Sequence, residues 1–121
     1  MLFRSVVLPS YREGMPRAIL EGVSMGKAVI TTDAAGCRET VEEGQNGFLV
    51  PVKSVTELAD SMQLFCDMSA EVLAEMGAKS RLKAVQEFDQ AIINQTIVQI
   101  VEQTLAEKNT AHARVFKPAI E

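Results

Sequence analysis

The chain has 121 residues, a net charge of −4 and 23% charged residues, which is the size and composition of one globular domain. Its basic residues do not cluster, so the charge pattern argues against nucleic-acid binding. Two cysteines and one histidine are too few for a disulfide framework or a zinc site. No apolar run reaches the roughly 20 residues that span a bilayer. We therefore expect a cytoplasmic protein with reduced thiols and no bound metal.

The first predicted element is a β-strand at Ser5–Leu8, a short apolar run that stops at Pro9. Such a run is typical of a strand that is buried on both faces of a parallel sheet. The start of the chain has no charged region or cleavage site of a signal peptide, so we interpret it as a strand. A loop with Gly14 follows, and Pro16 is expected at the first position of a helix that runs to about Met25.

Two more strands are predicted after this helix, separated by segments rich in turn residues. Residues 28–30 are mostly β-branched and predict the second strand. Residues 33–36 are predicted as a loop and residues 43–47 as a turn. Residues 48–51 are the third candidate strand, whose proline indicates a strand end or a sheet edge.

The remainder of the chain has helical periodicity. Ser54 and Glu57 form a capping-box pattern at the start of a helix that runs to about Met68. A second helix is expected from Ser69 or Ala70 and a third from Asp89. In the first of these helices, one face carries Leu58, Met62 and Phe65. In the second, the residues expected to face inward are Leu73, Met76, Leu82 and Val85. In the third, the apolar residues that recur at helical spacing are Ile93, Ile97, Ile100, Val101 and Leu105.

This order of elements predicts an α/β fold, with a partial Rossmann-like parallel sheet of about three strands followed by C-terminal helices. The helical pattern is lost from about Lys108, so we expect a domain over residues 1–107 and a frayed tail over residues 108–121. Three strands make a thin parallel sheet, because such sheets normally have more strands. We therefore interpret the chain as a truncated domain whose unpaired sheet edge could bind another segment or another copy of the chain.

The segment from Glu13 to Glu21 is the strongest candidate for a binding site. A glycine loop follows a strand and opens a helix at Pro16, which brings backbone N–H groups and the positive end of the helix dipole together. Phosphates bind well at such places, although the loop is neither a dinucleotide fingerprint nor a P-loop. A carboxylate such as Glu21 could accept hydrogen bonds from two ribose hydroxyls. Acidic residues also stabilise a helix start without any ligand, so the residues alone leave both interpretations open.

Several segments, in order and with matching spacing, resemble glycosyltransferase family four, the retaining GT-B "group one" transferases. The first is the Glu-x7-Glu region at residues 7–21, Val-Leu-Pro-Ser-Tyr-Arg-Glu-Gly-Met-Pro-Arg-Ala-Ile-Leu-Glu. Residues 25–33, 36–41 and 44–50 continue the likeness. The resemblance implies a fragment of the C-terminal domain of a GT-B enzyme, without its N-terminal acceptor domain.

The resemblance also implies roles for individual residues. Glu21 falls at the position that holds the ribose hydroxyls of the nucleotide, and Glu13 at the catalytic position beside the donor sugar. The backbone of Gly14, Met15 and Pro16 approaches the sugar and the phosphates. Since Pro16 has no N–H, only the other two can donate hydrogen bonds. For Met15 and Pro16, turn and helix-start chemistry is an equally good explanation.

Three nearby residues keep two interpretations each. Arg38 could face an anion, but an ion pair with Glu39, Glu42 or Glu43 is at least as good an explanation. Tyr11 and Arg12 could line the donor pocket or belong to an ordinary loop.

The implied reaction is transfer of a sugar from a nucleoside diphosphate sugar, commonly a UDP-sugar, with retention of anomeric configuration and without a cofactor. The acceptor would be a glycan or a lipid-linked sugar in polysaccharide biosynthesis, so the intact enzyme is expected to be cytoplasmic or membrane-peripheral. The basic residues that neutralise the donor diphosphate have no counterpart by motif in this chain. We therefore expect the chain alone to bind donor weakly and to be inactive. The alternative is a non-catalytic nucleotide-binding or assembly module with the same fold.

Overall fold

The computed structural model describes residues 3–115. The chain divides into two compact units between Phe88 and Asp89. The elements of the first unit are β1 (Ser5–Leu8), α1 (Arg17–Ser24), β2 (Ala28–Thr32), a 3₁₀ turn (Arg38–Thr40), β3 (Gly47–Val50), α2 (Val55–Asp67) and α3 (Ala70–Glu87). The second unit contains α4 (Gln90–Val115).

The three strands form one parallel sheet in the order β1, β2, β3, which confirms the predicted α/β fold. In the register, Val6 lies opposite Val29 and Ile30 lies opposite Phe48. All five residues of β2 are buried, because this strand has a neighbour on each side. The expectation that β1 is buried on both faces was wrong. It is half-buried along its whole length, since it lies at a sheet edge with β2 as its partner.

Each face of the sheet has its own apolar core, because successive residues of a strand point to opposite faces. Val29 packs on the side of α1, where the other buried members of the core are Ile19, Val23, Cys37, Val41 and Ala84. Ile30 packs on the side of α2, where the other buried members are Ala28, Val50, Phe65, Leu73 and Met76. Burial of one large aliphatic side chain contributes about 1.5–3 kcal/mol. The two cores therefore fix the sheet between its helices.

Helix α1 begins one residue later than the sequence predicts. Pro16 is its N-cap rather than its first helical residue, because a ψ of 114° keeps this residue extended while its φ of −72° suits the proline ring. The Pro16 carbonyl still accepts the first hydrogen bond of the helix, from the amide of Leu20 at 3.1 Å. The proline thereby sets the direction in which the preceding loop enters α1.

Two expectations about α2 and α3 were wrong. Ser54 is the N-cap of α2, but its side chain makes no cap hydrogen bond, so the capping box with Glu57 is not formed. On α3, two residues expected to face inward, Leu82 and Val85, are about half exposed. On α2, Met62 is about half exposed as well. On α3 the buried face carries small residues, Gly77, Ser80 and Ala84, together with Leu73 and Met76. Short side chains let two helices lie close together, which explains why this face and not the one with Leu82 packs against α1.

Helix α4 has 26 residues and continues past Lys108, where the sequence pattern predicts fraying. Alanine, glutamate and lysine in this stretch are good helix formers and sustain the helix as far as Val115. The apolar residues that recur at helical spacing on α4 are 45–56% exposed: Ile93, Ile97, Ile100, Val101 and Leu105. The boundary between residues 107 and 108 stays a prediction, and residues 116–121 lie outside the described part of the chain. Across residues 3–115, no helix has an apolar stretch long enough to cross a membrane.

Candidate functional site

The candidate site lies where β1 and β2 end, at the carboxyl end of the parallel sheet. Residues 9–16 connect β1 with α1, and residues 33–37 follow β2. The register places Leu8 beside Thr31, so the two loops start as neighbours. The hydroxyl of Thr31 donates to the Leu8 carbonyl at 2.9 Å, and that of Thr32 donates to the Ser10 carbonyl. These two buried threonines therefore tie the loop after β1 to the end of β2.

Glu13 lies in the middle of the first loop with an exposed side chain. Its Oε1 atom accepts a hydrogen bond from Ser10 Oγ at 2.9 Å. A carboxylate has acceptor sites for several hydrogen bonds, so this one bond orients Glu13 and leaves capacity for ligand hydroxyls. Gly14 and Met15, which follow, are also exposed, whereas Pro16 is buried.

The start of α1 adds hydrogen-bond donors to the same place. The first amides of a helix have no carbonyl partner within the helix. Among the described residues, no side chain caps the N-terminus of α1. The amides from Arg17 onward therefore bring the positive end of the helix dipole to the loop, where an anionic oxygen is favourable.

Glu21 lies one turn further along α1 on the exposed surface. Its Oε1 atom is 3.8 Å from Nε of Arg17, in a pair whose side chains are 69% and 93% exposed. Such a surface pair contributes at most about 1 kcal/mol. Neither burial nor a strong bond therefore gives Glu21 a structural role, and its carboxylate is accessible to a ligand on α1.

Arg38 has a different partner from those that the sequence suggested. Its Nε atom lies 3.0 Å from Oδ1 of Asp33, and its Nη2 atom donates to the Asp33 carbonyl at 3.1 Å. The alternative of an ion pair is therefore the better one, but Asp33 replaces the three glutamates expected as partners. The contact joins the two ends of the loop after β2.

Sequence reasoning missed Lys53, which follows β3. Its Nζ atom lies 5.4 Å from the centroid of the Tyr11 ring, and its backbone has a φ of 62°. A cation from the third strand end therefore contacts the loop that carries Glu13. The sequence had no signal for this contact, since Lys53 stands in a turn whose neighbours indicate only a strand end and a helix start.

A parallel sheet with a glycine loop that opens a helix at its carboxyl end defines a Rossmann-like domain, in which ligands bind at that end. The family model for the group 1 glycosyl transferases matches residues 2–67, more than half of the chain. The chain therefore belongs to the group 1 glycosyl transferases. The matched range includes the whole sheet and both loops of the candidate site.

Individual relatives agree with this family. The chain is 29% identical over 99 residues to the N,N'-diacetylbacillosaminyl-diphospho-undecaprenol alpha-1,3-N-acetylgalactosaminyltransferase of Campylobacter jejuni, covering 82% of this chain and 26% of that protein. The crystal structure of Anabaena HepE in complex with UDP matches with a TM-score of 0.75 and 32% identity, over 83% of this chain and 28% of that one.

The C-terminal domain of the group 1 transferase LpcC from Francisella tularensis has the same fold. It matches with a TM-score of 0.64 and 24% identity, over 72% of this chain and 44% of that one. The sheet and its helices thus belong to the GT-B fold. The chain spans about a quarter of the length of the curated relatives that it matches, with 26% and 22% for two of them.

Proposed function

We propose that the chain forms the donor-binding part of a retaining glycosyltransferase. The enzyme transfers a sugar from a nucleoside diphosphate sugar, UDP-linked, to a glycan or lipid-linked acceptor without a metal ion. The observation that carries the proposal is the open loop and uncapped start of α1 at the carboxyl end of β1, in a chain of this family. The UDP complex of HepE supports the nucleotide. The diphospho-undecaprenol group in the name of the Campylobacter relative supports a lipid-linked acceptor.

Different residues bind the ribose, the phosphates and the sugar of the donor. Glu21 accepts hydrogen bonds from the two ribose hydroxyls, since its exposed carboxylate has no competing strong partner. The amides of Gly14 and Met15 and the start of α1 face the phosphates and the sugar, and Pro16 fixes the loop that presents them. Glu13, oriented by Ser10, contacts the donor sugar. Each hydrogen bond to a charged group contributes about 1.5–3 kcal/mol.

The chain alone binds donor weakly and transfers nothing. Charge develops on the diphosphate in the transition state, and cations near it supply the main electrostatic support. Arg38 pairs with Asp33, and Arg17 does not match by motif the basic residues that neutralise the diphosphate in the family. The acceptor domain and the cations for the diphosphate come from other parts of a longer cytoplasmic, membrane-peripheral enzyme.

The test is a titration of the ¹⁵N-labelled chain with UDP, followed by NMR. We expect shifts at Gly14, Met15 and Glu21 at millimolar UDP, and smaller shifts with uridine, which has the ribose but no phosphate. If UDP at saturating concentration shifts no signal in the loop or in α1, the donor-site proposal is wrong. If the chain then also dimerises in sedimentation experiments, an assembly module that pairs through the open edge of β1 is the better function.

A further inference from the structure

We infer that Gly36, together with Thr32, positions the two amide donors of the donor site without touching the donor. The inference rests on the proposed function, because it concerns the loop that would hold the sugar and phosphates. Neither residue belongs to that loop. Thr32 is the last residue of β2, and Gly36 lies in the loop that follows it.

The two loops are in direct backbone contact at Gly36. This residue has a φ of 85°, and a Cβ atom built on it would overlap the carbonyl oxygen of Gly14 and lie 2.6 Å from that of Glu13. Both obstructing atoms belong to the backbone, so they cannot rotate away as the end of a side chain can. A side chain at position 36 would therefore have to displace the peptide units around Gly14.

Those peptide units are the ones that carry the proposed donors. The Glu13 carbonyl shares a planar peptide with the N–H of Gly14, and the Gly14 carbonyl shares one with the N–H of Met15. In a trans peptide the N–H points opposite to the carbonyl. Because both carbonyls face Gly36, both N–H groups are directed away from the loop after β2. The contact at Gly36 thus sets the direction of the two amides.

Gly36 can act as a fixed support because its own loop is held on several sides. The amide of Asp33 donates to the Val50 carbonyl at 2.8 Å, which joins the loop to the end of β3. The side chain of Arg38 closes the loop on Asp33. Cys37, the next residue after Gly36, is fully buried. The loop between β1 and α1, which we call the site loop, is also held by Thr32. The Thr32 hydroxyl donates to the Ser10 carbonyl near the start of this loop.

Gly44 provides a matched control for Gly36. It also has a positive φ, 75°, but nothing lies within 4 Å of a Cβ atom built on it. Since φ is positive at both positions, alanine at either one adopts an unfavourable backbone conformation. At position 36 alone, alanine also displaces the Glu13–Gly14 backbone. The difference between the two variants therefore isolates the loop contact from the cost of the positive φ.

The experiment compares Gly36→Ala with Gly44→Ala in the full chain, by ¹⁵N NMR without ligand and by UDP titration. For Gly36→Ala we expect shifted amide signals of Gly14 and Met15 and UDP binding weakened about tenfold, as for one misdirected hydrogen bond to a charged group. Gly44→Ala should leave these amide signals and the UDP affinity unchanged. If folded Gly36→Ala has unshifted Gly14 and Met15 signals and the UDP affinity of Gly44→Ala, the inference is overturned.

A second pair of variants keeps the inference testable if Gly36→Ala does not fold. Thr32→Val keeps the shape of the side chain but removes the hydroxyl that holds Ser10, whereas Thr32→Ser retains it. We expect Thr32→Val to shift the amide signal of Gly14 and to weaken UDP binding several-fold. Thr32→Ser should leave the signal and the UDP affinity as in the unchanged protein. Equal behaviour of the two variants would contradict the inference. If the unchanged protein binds no UDP, the proposed function fails, but the amide shifts without ligand still decide whether Gly36 and Thr32 position the loop.

Discussion

At the amino end of β3, the polar side chain of Asn46 is enclosed by protein. Beyond the carboxyl end of β1, by contrast, the carboxylates of Glu13, in the loop, and Glu21, on α1, lie in solvent. Asn46 is 1% exposed. Its Oδ1 atom accepts from the amide of Glu42 at 2.8 Å, and its Nδ2 atom donates to the carbonyl of Thr40 at 3.0 Å and to the hydroxyl of Ser80 at 3.3 Å. At the amino end, the polar side chain is hydrogen-bonded inside the protein. At the carboxyl end, the polar side chains are accessible to solvent and to a ligand.

This difference shows where the fold is stabilised and where a ligand can bind. A buried polar group that loses its partner has a large free-energy cost, so the network around Asn46 is required for stability. An exposed carboxylate has water as its partner and can exchange it for ligand hydroxyls. Substitutions at the amino end should therefore change the free energy of unfolding, and those at the carboxyl end should change donor binding.

The largest effect is expected from Asn46→Ala. It leaves the Glu42 amide, the Thr40 carbonyl and the Ser80 hydroxyl without their buried partner, and we expect the free energy of unfolding to fall by about 3 kcal/mol. Urea denaturation followed by circular dichroism measures this. Gln45→Ala, in the same turn but exposed, is the control and should change it by less than about 0.5 kcal/mol. Similar losses for the two variants would remove the contrast between the two ends.

Glu21→Ala should weaken UDP binding and leave stability nearly unchanged, the opposite of Asn46→Ala. The surface pair with Arg17 contributes little, so the free energy of unfolding should stay within about 0.5 kcal/mol of the original value. UDP affinity, measured by NMR titration, should fall about tenfold or more with the loss of hydrogen bonds to the ribose. Glu75→Ala, another exposed helical glutamate, should leave the affinity unchanged. A loss of several kcal/mol in stability would instead assign Glu21 to helix packing.

The sequence predicted local features well and contacts between distant residues poorly. The strands, the start of α1 near Pro16 and the glycine loops have local causes, namely apolar runs and restricted or permissive backbones. The network of Asn46 was missed because its partner Ser80 is 34 residues away, so Asn46 looked like any turn residue. On α3, periodicity identified an apolar face with Leu82. It could not show that a face of small residues packs instead.

A smaller effect is expected from Glu13→Gln, which keeps the shape of the side chain and its bond to Ser10 but removes the charge. Because Glu13 is proposed to contact the sugar, the affinity for UDP should change little. The affinity for UDP-glucose relative to UDP should fall about fivefold, as a charged hydrogen bond becomes a neutral one. The measurement is a pair of titrations, with Glu39→Gln as the control. Equal weakening of both ligands would place Glu13 at the nucleotide and not at the sugar.

The smallest change in stability is expected at Lys53. This residue has a strained backbone and an exposed contact with the Tyr11 ring. Glycine at this position relieves a φ of 62°, which is worth about 1 kcal/mol. It also removes the ammonium that lies 5.4 Å from the Tyr11 ring, a contact worth about 0.5–1 kcal/mol at an exposed site. Lys53→Gly should therefore leave stability nearly unchanged. In a Tyr11→Leu background, the cation–π contact is already absent, so Lys53→Gly should stabilise the protein by about 1 kcal/mol. A double-mutant cycle from urea denaturation measures the coupling. A coupling of zero would mean that the contact with Tyr11 does not hold the β3–α2 loop against the site loop.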